Sequence, residues 1–220
     1  DVSEILPYST GVIGQQLPVQ AFKKALPSCL HNLRADADAW ERASKTIMTT
    51  DTVPKLFSRK VDIAGCEVTI TGMSKGAGMI RPNMATMLAY IATDAVIEQP
   101  VLQSLLNEAT RVSFNRITVD GDTSTNDACT LLATSTPKMA AITENSKEYE
   151  QFASVLTALM QDLAQAIIRD AEGATKFITI NVSGGESEDD CLAVGYTVAE
   201  SPLVKTALFA SDPNWGRILA

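Results

Sequence analysis

Hydrophobic and polar residues alternate along this chain in two different rhythms. Over residues 66–70, Cys66, Val68 and Ile70 face one way and Glu67 and Thr69 the other, which predicts a strand buried on one side. Residues 87–92, MLAYIA, are apolar without interruption and predict a strand covered on both faces. From Pro100 the spacing changes. Val101, Leu102, Leu105, Leu106, Ala109 and Val112 recur at helical intervals, and proline suits a helix's first turn. A longer stripe, Phe152, Val155, Leu156, Leu159, Met160, Leu163 and Ile167, predicts a second amphipathic helix. The run KFITINV at 176–182 predicts a further strand, and SGGESEDD after it a solvated loop. Helical character also marks PVQAFKKALPSCLHNL and residues 36–47. With no internal repeat and no low-complexity linker, the expected class is α/β (α+β), layered sheets covered by helices.

Composition narrows the chemistry. With 220 residues, 45% of them hydrophobic and 20% charged, the chain has material for a real core and resembles an ordinary soluble globular protein. Its apolar runs fall short of the roughly 18 residues of a membrane span, so a cytoplasmic protein is expected, with no membrane partner. The net charge of −8, with basic residues scattered, gives no footprint for nucleic acid. Cys29, Cys66, Cys129 and Cys191 are far apart in sequence and suit reduced, buried positions; neither a disulfide frame nor a metal site is expected. His31 is the one histidine, and its helical segment suits a solvated or capping role. A Ser-His-Asp triad or a His-rich metal site would have to run through it. If the chain performs acyl transfer, the base has to be something else.

The segment that answers this is TGMSKGAGMIRPNMATMLAYIATD, residues 71–94. Gly72, Gly76 and Gly78 surround Lys75, and glycines permit close backbone approach to a ligand or a strained peptide. A phosphate loop needs G-x-x-x-x-G-K-[ST], whereas Lys75 precedes the second and third glycines. Thr86 suits the start of a strand, as β-branched residues do. It also suits an amino-terminal nucleophile. A cut between Ala85 and Thr86 would place an α-amine beside the threonine hydroxyl, and such an amine, with a reference pKa of about 7.7–8.0, can accept the hydroxyl proton.

The string GMSKGAGMIRPNMATMLAYIATDA closely resembles the self-processing segment of the ornithine acetyltransferase family, also called glutamate N-acetyltransferases. LPYSTGVIG (6–14), FNRITVDGDTSTNDACTLLAT (114–134), RDAEGATKFITI (169–180) and LVKTALFASDPNWGRILA (203–220) match in order and span nearly the whole chain. The resemblance implies a precursor cut between Ala85 and Thr86. Residues 1–85 would then form the C-terminal part of an α chain and 86–220 the N-terminal part of a β chain, assembled as α2β2. It implies acetyl transfer from N2-acetylornithine to glutamate through acetyl-Thr86, in cyclic arginine biosynthesis, with no cofactor, and leaves open whether acetyl-coenzyme A is also a substrate.

Residue by residue, the resemblance makes Thr86 the nucleophile, Thr10 and Gly11 the oxyanion hole, and Thr49, Lys75, Thr86 and Glu172 the substrate contacts. Each has a plainer alternative: a turn at Thr10-Gly11, a helix-terminal residue at Thr49, a solvated loop lysine at Lys75, a surface charge at Glu172. The string DGDTSTNDA (120–128) lacks the closing Glu of a calcium loop and suits a polar loop whose side chains bond the backbone. The resemblance puts that loop near the active site. It also implies further residues on both sides of the matched strings, the later ones adding an Asn and a Thr or Ser to the pocket. Two other classes compete: a self-processed aminopeptidase or amidohydrolase of related fold, and a non-catalytic assembly module.

Overall fold

A computed structural model describes residues 5–81, 87–124, 126–136 and 138–220. Two helices open the chain, α1 (Val19–His31) and α2 (Ala37–Thr46), followed by strands β1 (Lys55–Ile63), β2 (Cys66–Lys75) and β3 (Leu88–Thr93). Helix α3 (Gln99–Arg111) leads to strand β4 (Ala128–Ala133) and the long helix α4 (Lys147–Arg169). Helices α5 (Glu188–Glu200), α6 (Pro202–Phe209) and α7 (Trp215–Leu219) complete it.

The four strands form one sheet in the order β1-β2-β3-β4, antiparallel except for the parallel β3–β4 pair. A parallel pair needs a crossover, and α3 supplies it. Helix α4 lies across β1 and β2, with α3 packed beside it and against β4. The stripe Phe152, Leu156, Leu159, Met160, Leu163 and Ile167 is fully buried there, against Ile63, Val68, Ile70 and Ile91 of the strands. This is the expected mixed α/β architecture of a sheet covered by helices. Gly72 is what lets α4 approach so closely. A Cβ there would lie 2.8 Å from Leu159 Cδ2, 3.0 Å from Leu163 Cδ1 and 3.1 Å from Ile91 Cγ1.

Helix starts follow the local chemistry. Ser146 accepts from the Tyr149 N–H and Asp36 from the Ala39 N–H, each capping a helix. Pro100 sits in the first turn of α3, as its spacing predicts.

Three expectations need correction. Residues 176–182 form no strand: they join no ladder among the described residues, and Ile178 and Ile180 remain 42% and 37% exposed. Alternating apolar residues give strand propensity, but a strand exists only where a neighbour accepts its backbone. The SGGESEDD loop ends earlier than its polarity suggests. Ser187 caps α5, and Glu188, Asp189 and Asp190 form its first turn, where carboxylates complement the helix dipole. The cysteines are free, but Cys29 is exposed and the other three half-buried, and burial pushes the Cys129 thiol up to about 12.

Candidate functional site

The last residue of β2 and the first residues of β3 and β4 meet at one end of the sheet, where Lys75 pairs with Leu88 and Leu88 with Ala128. The chain leaves β2 through Gly76, whose φ of +146° only glycine adopts without strain. The positions singled out in the sequence fall around this turn.

Asp51 ties Thr49 to it. The Asp51 carboxylate accepts the Gly76 N–H at 2.7 Å, the Thr49 N–H at 3.1 Å and the Lys55 ammonium at 2.6 Å. Lys55 also donates to Asp170 at 2.6 Å, and Asp170 in turn accepts the Thr52 N–H at 3.0 Å and the Thr52 hydroxyl. Burial alone would raise the Asp51 carboxyl. The hydrogen bonds from Gly76, Lys55 and Thr49 outweigh it and hold the group below the usual carboxylate range. Asp170 is held down in the same way, by Lys55 and Thr52 against its burial. The side chains of Asp51, Lys55 and Asp170 are 0%, 1% and 5% exposed, so this is a buried ion triad at the root of the turn.

Glu172 closes on the same turn from the end of α4. Its N–H donates to the Ala77 carbonyl at 2.8 Å, and a Cβ on Gly78 would meet its carboxylate at 2.8 Å. Thr49 and Glu172 are exposed, whereas Lys75 is buried. Burial lowers the Lys75 pKa, and the carboxylates of Asp51 and Asp127 oppose that shift. An anion brought to Lys75 would therefore find a cation short of water.

Two acids of the DGDTSTNDA loop grip the glycine-rich segment. Asp120 accepts the Met79 and Ile80 N–H groups at 2.6 and 3.1 Å. Asp127 accepts the Met87 N–H at 2.5 Å, and the Ala128 N–H donates to the Met87 carbonyl at 3.0 Å. The loop also bonds its own backbone, as expected: the Asp122 N–H reaches Asp120 and the Asn126 N–H reaches Ser124.

The segment bearing Thr10 and Gly11 lies against the same end of the sheet. Asn126 Nδ2 donates to the Ser9 carbonyl at 3.3 Å, Thr130 donates to the Tyr8 hydroxyl at 2.9 Å, and Tyr8 meets Tyr90 edge to face. Ala85 and Thr86 lie outside the described residues; the chain resumes with Met87. His31 is exposed in the last turn of α1.

The structure thus brings Thr49, Lys75 and Glu172 onto one turn and sets the Tyr8–Ser9 backbone beside the neighbouring loop. Sequence reasoning missed Asp51, Lys55 and Asp170 altogether and saw Asp127 only as a loop residue. The available signal was an acid inside a threonine-rich turn, TTDT, ahead of a lysine that begins a strand. No group of three or more His, Cys, Asp or Glu among the described residues is placed to hold a metal ion. No described helix is long and apolar enough to cross a membrane.

Comparison with known proteins decides the relationship. The ArgJ family model matches residues 1–220. The chain belongs to the ArgJ family. The arginine biosynthesis bifunctional protein ArgJ of Pseudomonas fluorescens is 58% identical over 223 residues, covering 100% of this chain and 54% of the relative. That of Methylococcus capsulatus is 56% identical over 216 residues, covering 98% of this chain and 52% of the relative. The chain therefore spans about half the length of the curated relatives it matches. The crystal structure of arginine biosynthesis bifunctional protein argJ from Bacillus halodurans aligns with a TM-score of 0.55 at 41% identity, covering 57% of this chain and 59% of that one. That alignment agrees with the mixed α/β fold of this chain, a sheet covered by helices.

Proposed function

We propose that the family-length protein containing this chain is an acetyltransferase of arginine biosynthesis that cuts itself between Ala85 and Thr86. It then carries acetyl from N2-acetylornithine to glutamate on the Thr86 hydroxyl. Two observations support this jointly: membership of the ArgJ family, and the gathering of Thr49, Lys75 and Glu172 around the turn at 75–78, beside the residue that follows Thr86. The second is what carries the reading, because it offers one charge for each end of an amino acid. Lys75 receives the α-carboxylate, Glu172 the ammonium, and the Thr49 hydroxyl a polar group between them.

After the cut, the α-amine of Thr86 takes the hydroxyl proton as oxygen attacks the donor's acetyl carbon. Ornithine leaves with that proton, and an ester remains. The glutamate amine attacks the ester and restores the hydroxyl. Residues 1–85 and 86–220 belong to the α and β chains of this enzyme, in an α2β2 assembly.

The test is to incubate the purified full-length protein with N-acetylornithine alone and quench rapidly. One acetyl group should appear on the chain beginning with Thr86 and pass to glutamate on its addition. Steady release of free acetate without glutamate would instead indicate a hydrolase of the same fold, and no labelling under any condition would remove the covalent mechanism.

The oxyanion formed in each attack is assigned to the Thr10 hydroxyl and the Gly11 N–H. Those donors act on the transition state rather than on bound substrate. Thr10→Val keeps the branched shape and deletes the donor, so kcat should fall by about 10²–10³ with KM nearly unchanged. Steady-state kinetics against N-acetylornithine check this; a normal kcat would put the hole elsewhere.

A further inference from the structure

Two of the glycines around Lys75 leave no room for a side chain, for different reasons. At Gly72 a Cβ would strike Leu159, Leu163 and Ile91 of the core. At Gly78 the three nearest atoms all belong to the Glu172 carboxyl group. Its Cδ, Oε1 and Oε2 would lie 2.8, 2.8 and 2.9 Å from the Cβ, where carbon atoms in contact stand about 3.5–4.0 Å apart. A point almost equally distant from all three atoms of a carboxyl group lies over its face, not in its plane. The Glu172 carboxylate is therefore laid flat on the Gly78 Cα, and its edges, where hydrogen bonds are best accepted, point away from that backbone. Glu172 is exposed, and among the described residues neither oxygen accepts a hydrogen bond, so those edges remain free to accept.

Both backbones are held in place. Asp51 binds the Gly76 N–H and Asp120 those of Met79 and Ile80, on the two sides of Gly78. The Glu172 N–H donates to the Ala77 carbonyl at 2.8 Å, and Asp170, two residues earlier, is locked by Lys55 and Thr52. Gly78 itself has a negative φ, so alanine there meets no left-handed strain. What a Cβ displaces is the carboxylate, the far end of a flexible side chain.

We infer that Gly78 is a positioning residue for donor selectivity: its bare Cα seats the Glu172 carboxylate where it receives the side-chain ammonium of N2-acetylornithine. The inference rests on Glu172 being the ammonium contact. The α-amine of that donor carries the acetyl group, so its remaining cation stands at the far end of the side chain. N2-acetylnorvaline has the same carbon chain without that cation. A carboxylate pushed off its seat loses the alignment of its charged hydrogen bonds, and with it much of the power to tell the two donors apart.

The experiment measures kcat/KM of the full-length enzyme for both donors, with glutamate as acceptor, in the wild type, Gly78→Ala, Glu172→Ala and the double variant. A hydrogen bond to a charged group is worth about 10- to 100-fold in binding, so Glu172→Ala should cut the preference for N2-acetylornithine by that factor. Gly78→Ala should cut it about tenfold, through KM rather than kcat, and should melt close to the wild type. In the double variant the space left by Glu172 accepts the Cβ, so Gly78→Ala should cost no further preference on that background. Gly78→Ala with the wild-type preference overturns the inference. So does a glycine needed only for the fold, whose replacement would lower the melting temperature and slow both donors alike on either background. Should Gly78→Ala alone fail to fold, the double variant decides: melting and kinetics like those of Glu172→Ala support the seat, and a second failure to fold overturns it. The failure of the Glu172 assignment looks different: Glu172→Ala would then keep the wild-type preference.

Discussion

A full-length chain carrying Thr86→Ala is expected to remain one polypeptide and to transfer no acetyl group. Both reactions proposed here use the same oxygen, first against the Ala85 carbonyl and then against the donor's acetyl group. Removing it leaves the turn at 75–78, its lysine and its acids in place, so the variant should still bind N-acetylornithine. Loss of a hydroxyl nucleophile costs on the order of 10⁶ in kcat in comparable enzymes, which for this protein means no measurable transfer. Thr86→Ser restores the oxygen and should recover both cleavage and transfer in part. Mass spectrometry of the purified variants and a labelled-acetyl assay decide the matter; a Thr86→Ala protein found as two chains, cut between residues 85 and 86, would end the proposal.

Lys55→Met should unfold the protein far more readily than any surface substitution. The Lys55 ammonium lies 2.6 Å from both Asp51 and Asp170, and all three side chains are out of water. Methionine fills the space but leaves two buried carboxylates facing each other, and breaking a buried ion cluster in this way costs about 3–5 kcal/mol. The pH dependence follows from the direction of the shifts. Folding lowers both carboxyls, so their stabilising effect is present above the unfolded value of about 3.9 and is lost as pH falls through the folded values. In the variant the lowering effect of Lys55 is lost while the bonds from Gly76, Thr49 and Thr52 remain, so both carboxyls sit higher than in the wild type. The deficit relative to wild type should therefore be largest near pH 7 and shrink towards pH 4, as urea unfolding at both pH values would register. Activity should suffer before unfolding does, because Asp51 is what joins Thr49 to Gly76.

Legibility in the sequence tracked how local each feature is. Helices α3 and α4 and strands β2 and β3 show themselves because one apolar stripe meets one core, and periodicity records that directly. Strand β1 does not: KLFSRKVDI carries four charged residues, and as the sheet's edge strand it leaves several of them in water. The segment 176–182 has the residues of a strand without a described neighbour to pair with, which no pattern within the segment can reveal. At the site, Lys75 and its glycines stand out as an unusual string. Asp51, Lys55 and Asp170 do not, because an acid in a loop looks solvated until residue 170 is brought back beside residue 55. Asp127 was visible as a turn-former, while its hold on Met87 depends on the parallel pairing of β3 with β4.

The β2–β3 ladder runs from Ile70–Thr93 to Lys75–Leu88, and α4 buries its apolar stripe on β1 and β2. The proposed cut falls between those strands, so neither product owns a finished core. Covalent continuity is then needed only once, to deliver the two halves into a common sheet during the first folding. Afterwards they are held by the same interactions that hold the fold, and coming apart is the same event as unfolding. What was a first-order return to the native state in the precursor becomes a second-order meeting of two incomplete chains, so dilution alone would make denaturation of the mature protein hard to reverse.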